Sequence, residues 1–292
     1  PKFISTHCSA HRLQLAACHA AESIREVVKF QSTLNQIYVY FSRSTNRTAK
    51  LHEMEKILHS AIVTVKQPTD TRWLSYEAAV DSLRKCLPSV KLVCEEEANE
   101  GDATALGLAT QITKPNFIAM LLLMSDVLTL LANLSRSLQV ATLNLLCVET
   151  HVQDTIEALK TLESDVFTGG YMSTLDENLE AMQVSDTVNR DSIEAIAKKY
   201  ISCLLSHLKD RFPQVHLISL LGYFDPRNVE KATLLSMLEL GDYLDLDGHK
   251  LWIEFSTYRS FVKRLSNPTI EAAMHAMHES GTKDSRYAAY PL

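Results

Sequence analysis

The chain has 292 residues, 46% of them hydrophobic and 22% charged, with a formal net charge of −6. That length supports one large domain or two ordinary ones, and only 8 Gly and 8 Pro exclude a turn-rich β architecture and favour long helices. The acidic balance excludes a protein-wide nucleic-acid surface, but residues 1–90 hold 12 Lys/Arg against 7 Asp/Glu, so any nucleic-acid contact belongs in the first third.

Phe3 to Thr6 reads as a short strand, and Arg12 to Phe30 as a helix with Leu13, Leu15, Ala16, Ala20, Ile24, Val27 and Val28 at helical spacing. Leu34 to Phe41 continues helically or as a short tight segment, and Ser42 to Arg47 is a polar, basic break. Leu51 to Val65 forms a second amphipathic helix that ends at Pro68, because proline disfavours the helical region for the residue before it. Asp70 or Thr71 caps a third helix from Arg72 to Val93, which Pro88 kinks or ends. Glu95 to Gly107 is acidic and small, which reads as a surface loop. Pro115 suits the first turn of a strongly apolar helix from Asn116 to about Val140, and the pattern resumes to Leu162. Asp165 to Asp191 contains Gly169-Gly170 and reads as a connection with at most one short helix. Asp191 with Glu194 resembles a capping box for a helix through Leu208. Pro226 to Leu240 and a last helix opened by Asn267-Pro268 complete the pattern.

The expected fold class is therefore mainly all-α. Three regions organise it: 1–30, 31–94 carrying the basic segment, and the acidic 95–292. With Pro1 first and no Met before Met54, the sequence reads as part of a longer polypeptide. His, Arg and Lys run through Pro1 to Ala21, so no secretory signal is legible there. Phe117 to Leu134 is apolar enough to suggest a membrane span, but Ser125, Asp126 and Asn133 interrupt it. A buried core helix is the better reading, since an unpaired Asp in hydrocarbon costs several kcal/mol. Six cysteines with no CxxC pair read as reduced thiols of a cytosolic or nuclear protein.

Two local patterns invite a metal. His7, Cys8, His11, Cys18 and His19 fall within 13 residues, yet zinc needs four converging ligands, and the adjacent Cys18 and His19 diverge by roughly 100° on a helix. Helix-terminus and core roles suit Cys8 and His11 better. At Tyr243 to Glu254, Asp245, Asp247, Gly248 and Glu254 occupy positions 3, 5, 6 and 12 of a calcium loop. Tyr243 stands at position 1 and Lys250 at position 8, so an acidic helix-capping turn is the preferred reading. The motifs GxSxG, HExxH, GxGxxG and Walker A are all missing from the sequence. Trp73 admits two readings: a core aromatic at the start of a helix, or a stacking platform for an unpaired base with Arg72 as a phosphate ligand.

Several segments, in order, resemble the hAT superfamily of DNA transposases and its domesticated vertebrate relatives. Cys8, His11, Leu13 and Leu15 match the Cys-x-x-His-x-Leu-x-Leu motif. The run from Tyr40 to Arg47 is similar to the Ser-x-x-Arg segment, Thr71 to Ser75 to the Arg-Trp signature, and Leu134 to Gln139 to the Leu-Gln helix. Phe224 to Asn228 resembles the late Asp-Pro motif, and Tyr290 to Leu292 the point before the final block.

The resemblance implies that Phe3 to Cys8 is a β remnant of an RNase H-like core and that Arg12 onward is the family's helical insertion. It implies that the two catalytic Asp precede Pro1 and the Glu follows Leu292. By that implication this stretch is not an enzyme, carries no catalytic residue and no cofactor, and meets Mg or Mn only if its parent keeps those acids. DNA contacts are expected at Arg72, Trp73, Arg43 and Arg47, with Cys8 and His11 near the family's active centre. The expected partner is DNA, in the nucleus, with neither a membrane nor a small-molecule substrate. The alternative is a domesticated scaffold for self-association or other proteins. An unrelated helical enzyme, betrayed by a deep pocket with perturbed ionisable groups, is a third reading.

Overall fold

The structure, a computed structural model, describes residues 8–68, 73–139, 145–212, 215–266, 269–270, 272–273 and 275; of residues 73, 74, 145–147, 215, 216 and 218 it describes the backbone alone. Among these residues there is no strand, and the architecture is mainly all-α. The strand expected at Phe3 to Thr6 lies outside the described residues, as do Arg72, Asn267-Pro268 and Tyr290 to Leu292. Two compact units divide the chain, a larger one of His7–Leu143 with His151–Phe212, and a smaller one built mainly from Pro213–Leu292.

The larger unit opens with α1 (Ser9–Glu22) and α2 (Arg25–Ser42). Periodicity alone predicts one helix here, but Ile24 is extended at φ −115°, ψ 109°. The Ser23 hydroxyl donates to the Ala20 carbonyl at 2.8 Å and ends α1 without Gly or Pro. Next come α3 (Thr45–Ile57), shorter than expected, and α4 (Trp73–Asn99). Pro88 does not end α4, which runs 27 residues through it. The acidic loop expected at Glu95 to Gly107 is mostly helix, because Glu and Ala are good helix formers and Asp102 caps α5 (Ala103–Ile112).

The core of this unit is α6 (Pro115–Ser137), which touches α1, α2, α4, α5, α8 (Leu175–Ala181) and α9 (Arg190–Arg211). It is long and apolar enough to cross a membrane by length and composition, yet 78% of its most apolar window is buried against the rest of the protein. Leu121, Leu123, Met124 and Leu128 are at most 1% exposed, and each such side chain stabilises the fold by ~2 kcal/mol. The polar interruptions have local partners. Ser125 donates to the Leu121 carbonyl, and the Asp126 carboxylate accepts the Tyr171 and Met172 amides at 2.7 and 3.0 Å, holding a 3-10 turn at Tyr171–Thr174 against α6. Gly170 is required there: its φ is +63°, and an added Cβ would overlap the Asp126 carboxylate. Asn189, rather than Asp191, caps α9 by accepting from the Ser192 amide. Helix α7 (Leu145–Ser164) precedes the 3-10 turn.

The smaller unit holds α10 (Val215–Leu221), α11 (Leu234–Leu244) and α12 (Gly248–Val262) around Met237, Leu240, Phe255 and Val262. Asp245 ends α11 in the left-handed region, and Asp247 caps α12 by accepting from the His249 and Lys250 amides. The acidic segment is thus a helix-capping turn. An added Cβ on Gly241 or Gly248 would meet backbone of the facing helix at under 3 Å, so this hairpin closes only on glycine.

Candidate functional site

The basic segment sits where α2, α3 and the C-terminal end of α4 converge. Arg47 lies in the first turn of α3, whose cap Ser44 accepts its amide. Its guanidinium reaches Asp102 at 2.8 Å, Glu97 at 3.4 Å and the Tyr40 carbonyl at 3.3 Å, and stacks 3.9 Å from the Tyr40 ring centroid. Lys50, one turn on, reaches Glu97 at 2.6 Å, Glu96 at 3.0 Å and Glu100 at 3.5 Å. Hydrogen bonding to Lys50 holds the Glu97 carboxyl below its ordinary range, and the Ala105 amide does the same for Asp102. Burial and the hydrogen bond to Asp102 push the Tyr40 hydroxyl upward. These are structural ion pairs, and the basicity of Arg47 and Lys50 is answered within the molecule. Arg43, by contrast, is exposed at the C-terminal cap of α2.

Trp73 begins α4, while Arg72 lies outside the described residues. Glu97 follows Trp73 by 24 positions on the same helix, so roughly 36 Å of α4 separates the Trp73 backbone from the Arg47 pairs. Arg47 and Trp73 therefore do not share one pocket. Cys8 and His11 are exposed at the N-terminal end of α1, and the Cys8 carbonyl accepts the Arg12 amide. No group of three or more His, Cys, Asp or Glu is arranged to hold a metal among the described residues.

A cleft of about 680 Å³ opens where the start of α2, the α5–α6 junction and the start of α9 meet. Arg25, Lys29 and Lys114 line it with Glu26 and Asp186, over a floor that includes Phe30 and Phe117, whose ring centroids are 5.4 Å apart. Arg25 and Lys29 fall between the apolar positions of a helix pattern and carry no motif of their own. Their four-residue spacing was visible, but Lys114 lies 85 positions beyond Lys29, and nothing in the sequence joins them.

On α3, two neighbouring side chains each bury a polar atom that has no hydrogen-bond partner. Glu55 is fully buried; one carboxylate oxygen accepts the Val63 amide at 3.0 Å and the other has no hydrogen-bond partner. The His52 Nε2 on the preceding turn is likewise buried and unpaired. Desolvation pushes the Glu55 carboxyl upward and the nearby Cys86 thiol to about 12, which keeps that thiol protonated and unreactive. Burial raises Cys94 to about 12 as well. The chain matches no known protein-family model and no solved structure.

Proposed function

We propose that this chain is the helical region of a hAT-transposase-derived nuclear protein. It carries no catalytic acid of its own and contacts DNA through Trp73, which opens α4, and through Arg72 before it in the sequence, with Arg43 as a further phosphate ligand. The observation that carries this reading is the order of the hAT-like segments along the chain, from Cys8 to the Asp-Pro motif at Asp225. The all-α architecture is consistent with the helical insertion that the resemblance implies. Divalent metal enters only through catalytic acids elsewhere in a parent protein.

The test is binding of the chain to hairpin-ended duplex DNA at low and moderate salt. Salt-sensitive binding that weakens at least tenfold in Trp73→Ala, as expected for a lost stacking contact, supports the reading. No binding by the wild type at low salt, or equal binding by the variant, defeats it. A second reading, a scaffold for protein association without DNA, draws support from the smaller unit. Leu235, Leu246 and Ile253 there are 77%, 54% and 69% exposed.

A further inference from the structure

The cleft between the start of α2, the α5–α6 junction and the start of α9 plays no part in the DNA reading. Arg25, Lys29 and Thr33 fall at i, i+4 and i+8 on α2 and line one wall, while Lys114 and Asn116 line the other. Three cations thus gather at one concavity. None of the three side chains makes a hydrogen bond or ion pair with a described residue, unlike Arg47, Lys50, Arg136 or Arg190. These charges are not spent on hydrogen bonds or ion pairs within the described residues.

At about 680 Å³ the cleft lies within the usual size range for a small-molecule site. Buried Phe30 and Phe117 give it an apolar base. Buried Thr33 donates to Gln111 Oε1 at 2.9 Å, which fixes that amide and leaves its NH2 as a donor. Glu26 and Asp186 cut the lining's net charge to +1. That balance suits a single phosphate better than a polyanionic strand, and the two carboxylates supply acceptors for ligand hydroxyl or amino groups.

We propose that this cleft binds a phosphomonoester with an aromatic body, of the size of a nucleoside monophosphate, with Arg25, Lys29 and Lys114 on the phosphate. The apolar base takes the ring system. This goes beyond the DNA reading and does not depend on it.

The test is calorimetric titration of the intact chain with adenosine monophosphate and, separately, with inorganic phosphate. The nucleotide binds saturably with a Kd below about 1 mM and weakens as salt rises, and phosphate alone binds at least tenfold more weakly. Lys29→Glu combined with Lys114→Glu removes nucleotide binding, Lys209→Glu on the exposed end of α9 does not, and all keep the wild-type circular dichroism. Should the charge-reversed pair fail to fold, Lys29→Gln with Lys114→Gln carries the same test, with at least a tenfold loss expected. The proposal is overturned if the wild type binds neither probe at millimolar concentration, or if the folded double variant binds the nucleotide as well as wild type. It is equally overturned if duplex DNA competes with the nucleotide and is lost in the same variant. DNA binding that depends on Trp73 yet survives the double variant leaves both proposals standing.

Discussion

Glu55 sits in an environment that opposes its chemistry. A carboxylate with no exposed surface and one oxygen without a partner costs free energy when ionised, because the interior solvates charge poorly and one amide from Val63 answers only half of it. Its folded-state pKa is raised by burial, against the opposing pull of the Val63 amide and His52. The sign follows directly: the folded protein favours the protonated form, so this residue's contribution is most favourable below its unfolded pKa and is lost as pH rises through the raised value. Glu55→Gln keeps the acceptor for Val63 and removes the ionisation. The variant is therefore expected to gain stability relative to wild type as pH goes from about 4 to about 7, by up to ~1 kcal/mol. Urea unfolding of both proteins across that range checks it, and a difference independent of pH would show that the Glu55 carboxyl is not raised in the folded state. Sequence reading had no access to this site. Glu55 is one of several polar residues in a helix pattern, and what buries it comes from elsewhere in the chain.

At the scale of elements, periodicity located most helices, since α2, α6, α9 and α11 each present buried residues at helical spacing. Their ends were less legible because they depend on single hydrogen bonds, such as the Ser23 hydroxyl at the end of α1 or Asn189 at the start of α9. The segment from Asp245 to Gly248 is legible as a helix-capping turn, and Asp247 does cap α12, but the extent of the helix it opens is not marked by the sequence pattern. Proline rules misled most at Pro88. Buried Leu83, Leu87, Val90 and Val93 on both sides of it anchor α4, and that packing outweighs the missing hydrogen bond to the Arg84 carbonyl. Interior proline costs ~3 kcal/mol in an isolated helix, and part of that cost persists here. Pro88→Ala is expected to raise stability by ~1–2 kcal/mol, seen as an increase in Tm with unchanged helical content. A fall in Tm would mean that the proline ring packs better than the restored hydrogen bond compensates.

For the whole molecule, what matters to any DNA contact is how much positive charge remains unanswered. The surplus in residues 1–90 suggests a basic surface, but Arg47 and Lys50 are held by Glu96, Glu97, Glu100 and Asp102, whose positions lie in the acidic remainder of the chain. Their pairing was illegible in the sequence because the partners stand roughly 50 positions away. Cations held by two or three carboxylates release few counterions from DNA, since forming a phosphate contact means breaking existing bonds. The footprint expected under the DNA reading is therefore small, with about two to four phosphates neutralised and a slope of log K against log salt between about −2 and −4. Exposed Arg43 contributes to that slope and Lys50 does not. Arg43→Ala should reduce its magnitude by about one, while Lys50→Ala leaves it unchanged and lowers Tm instead, because Glu97 then loses its shortest ion pair. Equal effects of the two substitutions on the slope would show that the ion-paired cluster opens to meet DNA, and a magnitude well above four would place the interface over a far broader surface than the start of α4.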